Sequence, residues 1–505
     1  MFSKITSFAL NGLDGVPVEV ETDINKGMVA YDLVGLPDAA VKESRERVRS
    51  AIRNSALNFP VTKITINLAP ADLKKEGSHF DLPLAISILK ASDQLNADTD
   101  YVFLGELALD GALRPVAGIL PILISARDRG FTRFIVPFPN ANEASYIEGV
   151  TVYALKSLKD TVDFLKGEAQ FSPVEPRGFR AAAGARAYAG DMSLVKGQAV
   201  AKRAIEIAVA GGHNILLSGP PGTGKTMLAR CIPTIMPDLT FEEALEVTKI
   251  LSVSGELSEE GIATLRPFRT PHHTASTVSL CGGGNAKIRA GEVSKAHNGV
   301  LFLDELPEYT RSALESLRQP LEDRVITITR AGGAVTFPAD FILCAGMNPC
   351  PCGNYGSARL TCTCTPSQIH KYRSKVSGPL LDRIDIQVEA DAVEYDDLVA
   401  DADEESSAEI KARVERARHI QRERFADDGI KVNSNMREVH IKKYCRLSRE
   451  CESILKDAFE RFRLSARARS RIIKVARTIA DLDLSEEIKP AHVLEAVSYR
   501  SGDFK

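Results

Sequence analysis

The segment GPPGTGKT, residues 219–226, has the residue types and spacing to hold a phosphate chain. Gly219, Pro220, Pro221, Gly222, Thr223 and Gly224 form a loop whose backbone N–H groups can turn inward around phosphate oxygens. The apolar run NILLS precedes the loop, and MLARCIP, beginning at Met227, follows it. That context reads as strand, loop and helix, and the helix N-terminus adds favourable partial positive charge. Lys225 would reach the β- and γ-phosphates, and Thr226 would ligate Mg²⁺. Farther along, VLFLDEL (300–306) reads as a buried strand ending in two carboxylates. Asp304 would hold the Mg²⁺ through water, and Glu305 would polarise an attacking water. FILCAGMN (341–348) is another apolar strand, ending in Asn348, whose amide could orient that water. GPLLDRIDI (378–386) carries Arg383. Presented to a neighbouring subunit's nucleotide, Arg383 would stabilise transition-state charge. The alternative is a surface ion pair with Asp382 or Asp385.

A second cluster is NPCPCGNYGSARLTCTCTP, residues 348–366, which holds four of the nine cysteines. Cys350, Cys352, Cys362 and Cys364 would supply four thiolates to a structural Zn²⁺, although C-x-C is tighter than the usual C-x₂₋₄-C spacing. Gly353 and Gly356 would help the chain turn, and a redox-sensitive dithiol pair or ordinary reduced cysteines are the other readings. Cysteine catalysis is disfavoured, because nothing marks a base partner.

These residues need elements to position them. A chain of 505 residues, 44% hydrophobic, suits several globular domains. Residues 1–170 alternate short β-like runs (KITINLAP, RFIVPF) with helical stretches such as DAAVKESRERVRSAIRNS, an α/β pattern. Residues 171–191, rich in Pro, Gly and Ala, read as a linker. Residues 192–390 read as a parallel-sheet nucleotide-binding domain. After an acidic connector, residues 391–505 read as helical and highly charged. AEIKARVERARHIQRERF (408–425) is basic. Around RFRLSARARSRIIKVAR (461–477), Leu464, Ala468, Ile472, Val475 and Ile479 recur at helical spacing as a core face, leaving a basic face that is either solvated or open to DNA. The net charge of −3 excludes neither DNA nor protein partners, since any basic surface must be local. No apolar run reaches membrane-span length and no signal peptide is evident, so a cytoplasmic protein without a membrane partner is expected.

The phosphate loop, LFLDE, Asn348 and Arg383 together resemble the AAA+ ATPases. RPFRTPHHTAS (266–276), the paired cysteines and the whole layout narrow the resemblance to magnesium-chelatase-like AAA+ proteins. That resemblance implies ATP and Mg²⁺ at the loop, Asn348 as sensor 1 and Arg383 as arginine finger. LSARARSRIIKVAR (464–477) is similar to a sensor 2 helix, with Arg467 facing the γ-phosphate. VKGQAVAK resembles the segment that lines an adenine pocket, here Val195, Gly197 and Gln198. A homo-hexamer with active sites shared between subunits is implied. So is ATP-driven branch migration of DNA joints in natural transformation or homologous recombination, with recombination proteins as possible partners.

GELALDGALRPVAGILPILISARDRGFTRFIVP (105–137) and KKEGSHFDLPLAISIL (74–89) resemble the Lon protease domain. His79 stands where that pattern has its serine, and Leu120 lies nearest the position of its lysine. Ser78 next door lacks a lysine base, so a Lon-like fold without peptidase activity is expected.

A motor that moves DNA needs cations against phosphates. Residues 266–296 hold Arg266, Arg269, Lys287, Arg289 and Lys295 against one acid, Glu292. Residues 324–341 read as a β-hairpin with Arg330 beside its turn. His272 and His273 are either ordinary histidines, DNA contacts or a relay from the nearby catalytic strand. Two further functions compete: an ATP-driven protein remodeller, such as the motor of a metal-chelatase-like complex, and a Lon-type ATP-dependent protease.

Overall fold

The computed structural model describes residues 1–97, 99–179, 188, 190–284, 288–330, 333–356, 360–390, 404–462 and 464–500. The acidic connector and the second half of the linker fall largely outside the described residues.

The N-terminal domain begins with strands β1 (Phe2–Asn11) and β2 (Asp14–Asn25), paired antiparallel from Phe2↔Asp23 to Asn11↔Asp14. Then come β3 (Ala30–Val34), β4 (Lys63–Ala69), β5 (Val102–Phe103), a ribbon of β6 (Glu106–Leu107) with β7 (Leu113–Arg114), β8 (Arg133–Pro137) and β9 (Thr151–Leu155). The mixed sheet runs β3-β4-β2-β1-β5-β8-β9. Ile64, Ile66 and Leu68 of KITINLA alternate inward with the strand period of two, which is why that run forms β4. Helix Asp81–Ala91 is buried along most of its length in the core of this domain.

The central domain is built on β10 (Ile215–Ser218). Next along the chain are β11 (Phe268–Arg269), a ribbon of β12 (Gly282–Gly283) with β13 (Arg289–Ala290), β14 (Val300–Leu303), the hairpin β15 (Val325–Arg330) and β16 (Gly333–Pro338), β17 (Ile342–Met347) and β18 (Ile386–Glu389). Strands β11-β14-β17-β10-β18 form one sheet in that order, every pairing parallel. All residues of β10, β14 and β17 are buried, as expected of parallel strands covered on both faces. The phosphate loop, Asp304–Glu305 and Asn348 follow these three strands directly, so parallel pairing brings all of them to one end of the sheet.

The hairpin expected from the sequence is present. Its Ile328, Val335 and Phe337 pack with Ile250, Ile288 and Leu13 of the N-terminal domain. Helix Phe241–Ser254 seats the N-terminal domain: Ser252 accepts from the Gly118 amide at 3.0 Å and donates to the buried Glu143.

The C-terminal helices Ser407–Arg424, Glu438–Tyr444, Arg449–Phe462, Ala466–Leu482 and Pro490–Ser498 share one core with helix Ala199–Gly211 of the central domain. Ala468, Ile472, Val475 and Ile479 form the buried face the sequence predicts. The expectation of an opposite basic face free for DNA is corrected. Arg477 is buried on Asp481, Arg471 pairs with Asp385 and Lys474 donates to Ser434 O. On Ser407–Arg424, Arg413 pairs with Glu206 and Arg424 with Asp481, so much of this charge joins helices to one another.

Candidate nucleotide site and its partner surface

Helix Lys225–Ile235 starts at the lysine of the phosphate loop. Lys225 Nζ donates to Gly219 O (2.6 Å), Pro220 O (2.8 Å) and Asn348 Oδ1 (3.3 Å). Burial lowers its pKa, and the Asp304 charge opposes that shift. Thr226 Oγ1 lies 2.7 Å from Asp304 Oδ2. This hydroxyl and carboxylate are a hard-oxygen pair that fits Mg²⁺. Gly346 on β17 leaves room for Asp304, since a Cβ there would lie 2.7 Å from Oδ1. Sequence reasoning missed that glycine, because only the strand order puts β17 beside β14.

Glu305 is exposed, with φ at 51°, a left-handed conformation few non-glycine residues adopt and one that gathers at functional sites. His273 Nδ1 stands 3.1 Å from Glu305 Oε2. Of the sequence alternatives for His273, this geometry favours the relay. His272 contacts Thr274 at 2.9 Å. Gln198 Nε2 donates to Thr223 O at 3.2 Å, and the Gly197 amide donates to Glu404 at 2.8 Å. The Val195–Gln198 segment is therefore tied to the phosphate loop. Val195 is buried and Met227 is exposed.

Arg383 lies elsewhere. In the parallel pair β10–β18, Ile215 faces Ile386, and Asn214 Nδ2 donates to Arg383 O at 3.0 Å. Arg383 thus sits at the start of the strands, about 13 Å of strand away from the loop that follows Ser218. Its guanidinium contacts Pro379 O at 2.8 Å and pairs with Glu322, while Nε is buried without a partner among the described residues. The anticipated partners Asp382 and Asp385 are not the ones used: Asp385 holds Arg471 and His213. Arg467 and Arg383 line one cleft of about 510 Å³ together with Glu322, Arg437 and Arg471, and no phosphate-loop residue lines it. A cleft of about 390 Å³ bounded by Met236, Phe341 and Arg418 also lies away from the loop.

The proposed DNA contacts divide. Arg266 donates to Pro237 O, Asn298 O (2.7 Å) and Asp238 O (3.2 Å) and pairs with Glu243. Arg269 pairs with Glu292 and Glu256. The reading of these two as DNA contacts is corrected, because their donors hold the fold together. Arg289 is exposed on β13. Lys287 lies outside the described residues, and Arg330 is described only as the last residue of β15.

The four thiols of Cys350, Cys352, Cys362 and Cys364 lie within 4.8 Å of one another. Sγ separations of 3.3, 3.7 and 3.6 Å link Cys350, Cys352 and Cys362. A zinc tetrahedron with bonds of about 2.3 Å has edges of roughly 3.8 Å, so the donor set fits that ion. Backbone amides of Asn354 and Thr363 hold the Cys352 thiol down to about 5. In the N-terminal domain, the Ser78 hydroxyl donates to Glu106, His79 Nε2 contacts Phe8 O at 3.0 Å, and Leu120 is buried. None of these contacts is the base a serine nucleophile would use.

A phosphate loop, a strand ending in paired carboxylates and an asparagine between them, all at one end of a parallel sheet, define a P-loop domain of the AAA+ class. The chain belongs to the magnesium-chelatase-like family that contains YifB and ComM. The family model of magnesium chelatase subunit ChlI matches residues 191–398, a second ChlI model matches 20–140, and the ChlI C-terminal model matches 404–500. The chain is 45% identical over 504 residues to the uncharacterized protein YifB of Escherichia coli, covering 99% of this chain and 97% of that one. It is 42% identical over 506 residues to the competence protein ComM of Haemophilus influenzae, covering 98% and 97%. A shorter match, 25% identical over 123 residues, covers 24% of this chain and 22% of Lon protease 2 of Bacillus subtilis. Among the described residues no helix is long and apolar enough to cross a membrane.

Proposed function

We propose that this protein is an ATP-driven DNA motor that works as a homo-hexameric ring and promotes branch migration of recombination joints. The Lys225–Asn348 and Thr226–Asp304 contacts support ATP and Mg²⁺ binding at the loop. Thr226 and Asp304 would hold the ion, which would screen the phosphate charge. Lys225 would exchange its loop carbonyls for phosphate oxygens. Glu305 would accept the proton of the attacking water, and Asn348 would orient that water. The observation that carries the ring is the placement of Arg383 and Arg467 at the far end of the sheet from the phosphate loop. From there they cannot reach their own nucleotide, but they can complete the site of a neighbouring copy. The DNA substrate is supported by full-length similarity to a competence protein.

ATP hydrolysis measured alone and with single-stranded, duplex and forked DNA tests this reading. Stimulation by DNA with strand displacement is expected, and an ATPase indifferent to all three overturns it. A second reading is a protein remodeller related to chelatase motors, favoured by the internal pairing of Arg266 and Arg269. Stimulation by a protein partner but not by DNA would select it. Lon-type proteolysis is not proposed, given the Ser78–Glu106 pairing.

A further inference from the structure

The cysteine cluster stands directly against the phosphate loop. Gly353, in the turn between Cys352 and Tyr355, donates to Cys350 O at 3.0 Å and has φ at +82°. A Cβ built on it would sit 2.5 Å from Pro221 Cδ and 3.2 Å from Pro221 Cγ. The turn therefore rests on the ring of a phosphate-loop proline, closer than any side chain would allow. The other end of the turn is also anchored. The Tyr355 amide points to Cys350 Sγ at 3.3 Å, and Arg373 lies over the Tyr355 ring at 5.2 Å while donating to Pro349 O at 3.2 Å. Pro349 follows Asn348, which receives Lys225. One turn thus rests on the loop and follows, through Pro349, the residue that would sense the γ-phosphate.

We propose that the four-cysteine site is a zinc-held brace for the nucleotide site, with Gly353 as its positioning residue. The ion fixes the turn from Cys350 to Tyr355, that turn presses on Pro221 and holds Asn348 in register, and zinc loading thereby sets nucleotide affinity. Without the cross-link the turn has fewer constraints on its backbone, and the loop loses its backing. This inference rests on the reading of the loop as an ATP site.

The test compares five full-length proteins: wild type, Cys362→Ser, Gly353→Ala, Gly356→Ala and Lys225→Ala. Gly356 has φ at +79° and, among the described residues, nothing within 4 Å of its would-be Cβ, so Gly356→Ala carries the backbone strain without the contact. Zinc is measured by elemental analysis, nucleotide binding with a fluorescent ATP analogue, and hydrolysis as separate KM and kcat. Wild type is expected to hold one zinc per chain. Cys362→Ser is expected to lose zinc and to bind nucleotide roughly tenfold more weakly. Gly353→Ala is expected to keep its zinc yet raise KM several-fold, more than it lowers kcat, while Gly356→Ala matches wild type. The brace is overturned if Gly353→Ala and Gly356→Ala behave alike, if wild type holds no zinc, or if chelation removes zinc without changing nucleotide affinity. Failure of wild type to bind the analogue at all, with Lys225→Ala no different, sinks the ATP reading itself. Binding that ignores zinc sinks only the brace.

Discussion

At the scale of single residues, the nucleotide site assigns separable tasks. Glu305→Gln keeps the shape of the side chain and removes its basicity. It should bind ATP near normally and hydrolyse it at least about 100-fold more slowly, checked by nucleotide binding beside steady-state turnover. Unchanged turnover would remove Glu305 from the water-activating role. His273 touches Glu305 at 3.1 Å, so in the proposed mechanism it would position that carboxylate. His273→Ala should alter kcat several-fold with little change in nucleotide affinity. An effect on affinity alone would mean the contact serves packing instead. Glu305 was legible from VLFLDEL. Its histidine partner was only one of three readings of PHH, because nothing in the spacing says that the chain after β11 returns to the end of β14.

At the scale of elements, the parallel sheet separates two functions by the length of a strand. Arg383 precedes β18 while the phosphate loop follows β10, so in the proposed ring Arg383 would serve a neighbouring copy's loop rather than its own. Neither Arg383→Ala nor Lys225→Ala alone should hydrolyse ATP. A mixture of the two should regain part of the activity, since one intact site can form where a native loop meets a native arginine. No recovery on mixing would place Arg383 in a structural role with Glu322. The same end of the sheet carries a pH-sensitive joint. His213 is buried between Asp385 (3.3 Å) and Thr478 (2.9 Å), linking β10, β18 and helix Ala466–Leu482. Burial lowers its pKa below the ordinary 6.5. The unfolded chain therefore takes up a proton near that value while the folded chain does not, and stability falls as pH drops below about 6.5. Asp385, held down by Arg471 and His213 after its burial cost is met, stays charged through this range and adds no slope there. Thermal unfolding from pH 8 to 5 should show the decline, and His213→Gln should flatten it.

At the scale of the whole molecule, the N-terminal domain is joined to the motor through a buried polar contact. Glu143 accepts from Ser252, the Leu120 amide (2.9 Å) and Asn140, while Ser252 also receives the Gly118 amide. Ser252→Ala leaves two buried groups short of a partner, at a cost of about 1–3 kcal/mol. A lower Tm is expected, together with faster proteolysis between the domains. An unchanged Tm would mean that the seam carries no stability. The hairpin β15–β16 reaches the same seam through Val335, whose Cγ1 lies 2.5 Å from where a Cβ on Gly12 would be. The N-terminal domain is thus packed against the hairpin that the chain forms between the Glu305 and Asn348 strands.

The sequence by itself determined the chemistry that depends on local spacing. GPPGTGKT, LFLDE and the asparagine ending FILCAGMN can be placed at strand ends from the sequence because each follows a strand of its own, and burial of apolar runs fixes the strands. It also placed the cysteines close enough in the chain to converge. Contacts between segments distant in sequence were decided only by the tertiary structure. Arg266 reads as a free cation along the chain because its partner Glu243 lies outside residues 266–296, and Arg269 because Glu256 joins Glu292 on it from outside the same stretch. Arg477 and Lys474 looked like a basic face because helical periodicity marks the apolar side of a helix but not the partners that meet its charges. Gly353 read only as an aid to turning. Pairing β17 beside β10 set that turn on Pro221, a closeness that follows from strand order and from no spacing along the chain.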